Sequence, residues 1–278
     1  RLGGAFPLSI QIESRNLGRS ARVIRYHGRL DEEKACFMEL LHSLARGWGY
    51  ELVRRKKSAS LRSHLSQVIT RHAIDVVIDV GANDGQFVQL IRSEGFRGKV
   101  FSFEPVASTY QKLCRIAHAD PDWQIINQAL GEQAGEAQIN VMQSSDLCSL
   151  LEPNDFGRAA FPRLEVSHRE TIVMDTVDNF LARQTLAETA RILLKMDTQG
   201  YDPQVFKGAE RSLPRIVCLV SELSLIPIYA QAPHYLDVLR VYESKGFVPS
   251  GLYPVSRSDD LSVIEMDCVL INQAASHP

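Results

Sequence analysis

At 278 residues the chain can bury one large core or divide into two domains. With 45% hydrophobic and 23% charged residues it reads as an ordinary globular protein, and its formal net charge of −2 argues against a dedicated nucleic-acid binder, which carries a basic excess. No apolar run is long enough to span a bilayer and no signal-peptide pattern is present; the five cysteines (36, 114, 148, 218 and 268) are odd in number and lack C-x-x-C spacing, so reduced thiols in a cytoplasmic protein are expected rather than a disulfide framework or zinc site.

Residues 1–72 are predicted to form a helical extension. Arg1 to Leu30 show no clear period. From Asp31 the apolar positions Ala35, Met38, Leu41, Leu44 and Ala45 recur at helical spacing and end near Gly47. A second helix is expected over Ser60–His72, with Leu61, Leu65, Val68 and Ile69 on one face. The pair reads as a cap over a site, an oligomerisation element or a packing appendage.

Residues 73–278 alternate strands with helices. Strands are expected at Val76–Val80, Val100–Phe103, Trp123–Ile126, Gln138–Met142, Arg169–Met174, Ile192–Met196, Ile216–Ser221 and Val263–Asn272. Helices are expected after Gly85, over Ser108–Ala117, Asp175–Ala182, from Pro203 to about Leu213 and over Tyr235–Lys245, with loop and a short helix over 144–161. This alternation implies an α/β fold with a mostly parallel, Rossmann-like sheet covered on both faces, which binds ligands at the carboxyl ends of its strands.

The first strand of that alternation runs into Asp79-Val-Gly81-Ala-Asn83-Asp84-Gly85, a D-x-G-x-N-x-G turn, and the second ends at Glu104-Pro105. Glycines let a ligand approach the backbone, and a carboxylate after the next strand can accept both hydroxyls of a ribose. A dinucleotide turn would read G-x-G-x-x-G and face a pyrophosphate. Two carboxylates beside this turn, Asp79 and Asp84, suit instead a sulfonium and an ammonium, which points to S-adenosylmethionine. Gly81, Asn83, Gly85, Glu104 and Pro105 are therefore candidate cofactor residues; Asp79 could take the cofactor's ammonium or cap the turn. Asn127 and Ala129, after the third strand, are expected beside the adenine.

Lys195 and Asp197 share one face of the Ile192–Met196 strand by its period of two, with Asp197 at the carboxyl end; Glu222 ends the neighbouring strand. Adjacent acids can serve as a general base, or hold a hard cation such as Mg²⁺. Asp197, Glu222 and Lys195 are candidate catalytic residues, with Asp197 and Glu222 the metal ligands if a metal is used. His234 is a further candidate base, ahead of His168 and His118.

On these segments the chain resembles the FkbM family of S-adenosylmethionine-dependent methyltransferases. The resemblance rests on Val77-Ile-Asp-Val-Gly-Ala-Asn-Asp-Gly85, Phe103-Glu-Pro105, Thr171-Ile-Val-Met-Asp-Thr-Val-Asp178, Lys195-Met-Asp-Thr-Gln-Gly-Tyr201 and Val205-Phe-Lys-Gly-Ala-Glu210, within residues 74 to 272. Asp202 stands where the pattern more often has Glu. The resemblance implies the class I methyltransferase sheet, seven strands with the last antiparallel, and O-methylation of a sugar, glycolipid or natural-product hydroxyl. N- or C-methylation, or a non-catalytic scaffold, are the alternatives. The partner expected is a small-molecule or glycan acceptor, with homo-oligomerisation possible and no nucleic acid.

Overall fold

A computed structural model of the chain describes residues 10–13, 22–26, 41–48, 50–54 and 60–275. The chain divides into two compact units between Ser63 and His64.

The sequence predicts a helical first unit, but its described part also contains strands. Strands β1 (Ile10–Glu13), β2 (Arg22–Tyr26) and β3 (Tyr50–Arg54) form a three-stranded sheet in that order. β1 and β2 are antiparallel, β2 and β3 parallel. Four or five residues give too few alternations for a period of two to stand out. Helix α1 is described over 41–47, where Ala45 is buried and Leu44 exposed; residues 31–40 of the expected helix lie outside the described residues. Helix α2 (Leu61–Arg71) forms as expected. The division falls inside α2, and His64 packs within the second unit: its ring lies 5.9 Å from that of Tyr253, and its Nε2 is 3.2 Å from the Ser250 hydroxyl.

The second unit is built on seven strands: β4 (Val76–Val80), β5 (Lys99–Phe103), β6 (Trp123–Ile126), β10 (Ile192–Met196), β11 (Ile216–Ser224), β12 (Phe247–Arg257) and β13 (Val263–Asn272). Their order is β12-β13-β11-β10-β4-β5-β6. β6, β5, β4, β10 and β11 run parallel, and β13 is antiparallel to both β11 and β12. β4 and β10 are buried throughout, which is why they read as unbroken apolar runs. β12 escaped the sequence reading: Pro249, Gly251 and Pro254 interrupt it, its register shifts next to both prolines, and such residues are tolerated only at an edge or a bulge.

A second, three-stranded sheet in the order β7-β9-β8 follows β6: β7 (Ala129–Leu130), β8 (Gly135–Met142) and β9 (Val166–Asp175). Between β8 and β9 lies a segment with a 3-10 turn at Ser145–Leu147 and helix α5 (Asp155–Ala160).

Helices α6 (Val177–Ala182), α7 (Asp202–Lys207) and α8 (Tyr235–Ser244) share one core with the large sheet, through Phe180, Phe206 and Tyr242. Phe180 meets Phe101 and Phe103 edge-on, and Phe206 meets Tyr242 and Phe247 in the same way. Helices α3 (Gln86–Ser93) and α4 (Ala107–Ala117) bury Val88, Ile91 and Leu113. α4 starts within a residue of expectation, with Val106 as its cap, whereas α7 ends at Lys207, with Gly208 as its cap, instead of running to Leu213. Among the described residues no helix is long and apolar enough to cross a membrane.

Candidate active site

The carboxyl ends of β4, β5, β10 and β11 carry most of the residues singled out in the sequence. After Val80 the chain turns through Gly81 (φ 74°), Asn83 (φ 45°) and Gly85 (φ 75°) into α3. A Cβ at Gly81 would lie 2.0 Å from the Asp197 carbonyl oxygen, and one at Gly85 would lie 2.7 Å from Leu113 and Trp123 side-chain atoms. Glycine is therefore required at both positions by close approach as well as by backbone angle.

Glu104 is buried and closes the turn. Its Oε2 accepts from the Asn83 N–H and its Oε1 from the Val106 N–H, both at 2.9 Å. Burial pushes the Glu104 carboxyl up to about 7, against those two N–H groups and the Lys195 ammonium, which pull it down. A carboxylate has about four acceptor positions, so two hydrogen bonds leave room for a vicinal diol. Asn127 donates its amide to the Glu104 and Pro105 carbonyls at 2.9 Å each and braces that turn. Ala129 packs in a core cluster with Val106, Ile139 and Ile172.

A polar row crosses the apolar sheet. The register pairs Lys195 with Asp79 and Asp79 with Ser102. Trp123 Nε1 donates to Ser102 Oγ (2.9 Å), Ser102 Oγ donates to Asp79 Oδ2 (2.8 Å), and Lys195 Nζ lies 3.1 Å from Asp79 Oδ1. Lys195 also donates to the Gly81 carbonyl at 2.9 Å and lies 3.4 Å from Asp197. Burial alone would lower the Lys195 pKa; the Asp79 and Asp197 carboxylates outweigh it and hold the ammonium above its ordinary range. Asp79 is fully buried, and its charge is compensated within the protein by Lys195. Asp84 likewise has its own cation, Lys112, at 3.2 Å. The two carboxylates beside the turn are thus less free for a sulfonium than their sequence positions suggest.

Asp197 and Glu222 do come together. Asp197 continues the β10 ladder, donating its N–H to the Val80 carbonyl, and its side chain is 39% exposed. Gln199 Nε2 spans the two acids, 3.2 Å from Asp197 Oδ1 and 2.7 Å from Glu222 Oε2. Burial, and then the carboxylates of Asp197, Glu265, Asp267 and Asp202, hold Glu222 well above the usual carboxylate range. Buried Asp202 fixes the two strand ends: Oδ1 accepts from the Thr198 N–H and hydroxyl, and Oδ2 from the Ser221 hydroxyl and the Glu222 N–H. The Gln199 and Asp202 roles are absent from the sequence reading. The signal for Gln199 was its place before Gly200, in a turn where both adopt positive φ.

His234 is exposed and caps α8, accepting from the Leu236 N–H. His168 is also exposed, 3.0 Å from Glu170, and His118 ends α4. Among the described residues no three His, Cys, Asp or Glu side chains converge as a metal site.

The strand order, the antiparallel β13, the glycine turn and the acid after the second parallel strand define a class I methyltransferase. The chain matches the methyltransferase FkbM domain over residues 79–249, and it belongs to that family of S-adenosylmethionine-dependent methyltransferases. No curated protein matches it. Among solved structures it is similar to an rRNA methylase from Streptococcus thermophilus, with 11% identity over 77% of this chain and 98% of that one and a TM-score of 0.42. Aeropyrum pernix fibrillarin with natively bound S-adenosyl-L-methionine gives 10% identity, 78% and 76% coverage and a TM-score of 0.41. M. capricolum TrmK with S-adenosyl-homocysteine gives 4% identity, 77% and 69% coverage and a TM-score of 0.42.

The residues present fit this cofactor. Glu104 keeps acceptor positions for a diol beyond its two N–H partners, and the Asn83 Oδ1 is buried without a partner of its own.

Proposed function

We propose that this chain is an O-methyltransferase whose acceptor is a hydroxyl of a sugar, glycolipid or secondary metabolite. The observation that carries this reading is the half-open Asp197 carboxylate, joined through Gln199 to Glu222 at neighbouring strand ends and beside the Gly81 turn. S-adenosylmethionine supplies an electrophilic methyl group when bound. The protein's task is to align an acceptor oxygen with that methyl and take up the hydroxyl proton. Asp197 is the group for the proton: it is partly exposed, while Lys195 holds it from behind. Lys195 is buried and fully engaged with Asp79, Asp197 and the Gly81 carbonyl, so it positions these groups rather than meeting the acceptor. Gly81, Asn83, Gly85 and Glu104 hold the nucleoside, with Pro105 and Asn127 bracing the Glu104 turn. Residues 1–72 serve acceptor choice or self-association.

The test is methyl transfer from labelled S-adenosylmethionine to paired acceptors differing only in hydroxyl or amine, drawn from methyl glycosides, glycolipids and polyketide alcohols. Transfer to hydroxyls alone is expected. Transfer confined to amines would replace this reading with N-methylation.

A second expectation concerns pH. Ribose hydroxyls donate to an ionised Glu104, whose carboxyl sits at about 7. Calorimetry should therefore show S-adenosylhomocysteine binding more tightly as the pH rises from about 6 to about 8, and a Glu104→Gln variant should lose that slope. The stability of the ligand-free protein should move the opposite way. The unfolded chain ionises this group first, near 4.5, so Glu104 contributes stability that is lost as the pH rises from about 4.5 through about 7. A binding curve flat in both proteins would remove Glu104 from the ribose role.

A further inference from the structure

We infer that Gln199, aimed by Tyr229, is a positioning residue that sets the Asp197 carboxylate toward the acceptor; the inference rests on the O-methyltransferase reading and deepens it. A glutamine amide has one acceptor end and one donor end. Here the donor end faces two acids, Asp197 Oδ1 at 3.2 Å and Glu222 Oε2 at 2.7 Å. The acceptor end takes the Tyr229 hydroxyl at 3.1 Å. Turned over, the amide would set its carbonyl oxygen against both carboxyls, an arrangement that needs a proton on each. As placed, each N–H serves one acid and the amide holds the two side chains apart at a fixed spacing.

The support behind Gln199 is rigid. Tyr229 is buried, and its single hydroxyl proton is shared between Gln199 Oε1 and the Leu147 carbonyl, which lies 2.6 Å away. The Gln199 backbone, at φ 55°, is held by the Ser149 hydroxyl, which donates to its carbonyl at 2.8 Å and accepts from the Leu151 N–H at 3.0 Å. Leu147, Ser149 and Leu151 belong to the segment between β8 and β9, and Tyr229 to the loop after β11. These two are tied together: Asn154 donates its side-chain amide to the Pro227 carbonyl (2.8 Å) and its N–H to the Ile228 carbonyl, and the Ala230 N–H donates to the Glu152 carbonyl (2.7 Å). Two segments remote in sequence therefore converge on one side chain, and that side chain touches the acids. A side chain serving packing alone would not need its polar ends satisfied in this opposed way.

Three variants test the assignment: Gln199→Leu, Gln199→Glu and Tyr229→Phe, each compared with the parent in the full chain with S-adenosylhomocysteine bound. Selective ¹⁵N-glutamine labelling reads the Gln199 side-chain amide directly, with Gln199→Glu identifying its resonances. Expected are two inequivalent N–H protons, one of which shifts in Asp197→Asn and the other in Glu222→Gln, with both shifting in Tyr229→Phe. Resonances unmoved by Asp197→Asn and Glu222→Gln would overturn the inference, whatever acceptor the enzyme uses. With the hydroxyl acceptor found in the transfer screen above, Gln199→Leu and Gln199→Glu should lower kcat ~10²-fold, the cost of misplacing a reacting group by about an ångström, with acceptor KM and S-adenosylhomocysteine affinity changed less than about twofold. Tyr229→Phe should reproduce a smaller part of the kcat loss, because only one hydroxyl is removed. A kcat retained in both Gln199 variants, or a loss that falls on KM alone, would also overturn it. If the screen methylates no hydroxyl, it is the O-methyl reading that fails, and the amide resonances still decide the arrangement around Gln199.

Discussion

Asp197→Asn is expected to lower turnover on a hydroxyl acceptor ~10²–10⁴-fold, the usual contribution of a general base. The substitution keeps the shape and the hydrogen bonds to Gln199 in reach, and removes only the charge and the proton acceptor. Asp197 is the partly exposed member of the acidic pair, whereas Glu222 is pushed toward its protonated form by burial and by the acids around it. Two carboxyls in environments this different divide the work of holding and accepting a proton. Binding of S-adenosylhomocysteine should change little, because the turn and Glu104 are untouched. Adding EDTA separates the two chemistries this pair could support. Activity indifferent to EDTA is expected of a direct proton acceptor, and activity lost and then restored by Mg²⁺ would transfer the role to a cation. Full turnover in both Asp197→Asn and Glu222→Gln would make the pair structural.

Lys195→Met should destabilise the fold by ~3–5 kcal/mol, the cost of leaving one half of a buried ion pair uncompensated. Asp79 is fully buried, and Lys195 is the cation directly opposite it in the register of β4 and β10. The Gly81 carbonyl loses its 2.9 Å donor in the same variant, so the glycine turn should loosen and S-adenosylhomocysteine binding weaken with it. Chemical denaturation measures the loss. Adding Asp79→Asn to Lys195→Met should recover part of the stability, because an amide in that position is a smaller burden than a lone carboxylate. A Lys195→Met protein within about 1 kcal/mol of the parent would show that Asp79 finds compensation elsewhere or gives up its charge at little cost.

Much of the large sheet was legible because its inner strands are buried on both sides and so leave a continuous apolar signature. The glycine turn and Glu104 were legible because a close backbone approach and a carboxylate after the next strand each demand a particular residue type. Lys195 and Asp197 were rightly placed on one side of β10 by the strand period. What the sequence concealed depends on juxtaposition. The occupation of Asp79 by Lys195 follows from the register between strands more than a hundred residues apart, which no local pattern records. The same holds for Gln199, whose partners arrive from the loop after β11 and from the segment between β8 and β9. The distance in sequence between Asn127 and Glu104 likewise hides that the Asn127 amide reaches back to the Glu104 and Pro105 carbonyls. The three short strands before residue 60 were missed for lack of length, and β12 for its prolines.

Those prolines matter beyond the pairing of β12 with β13. The outermost strand of a sheet offers its free backbone groups to any other chain in extended form, and here it also presents Val248, Leu252 and Val255 to solvent. Pro249 and Pro254 supply no N–H to an incoming chain, and the register shifts beside them keep the border from lying straight. The sheet is thereby guarded against stacking end to end into fibrous aggregates at its β12 margin.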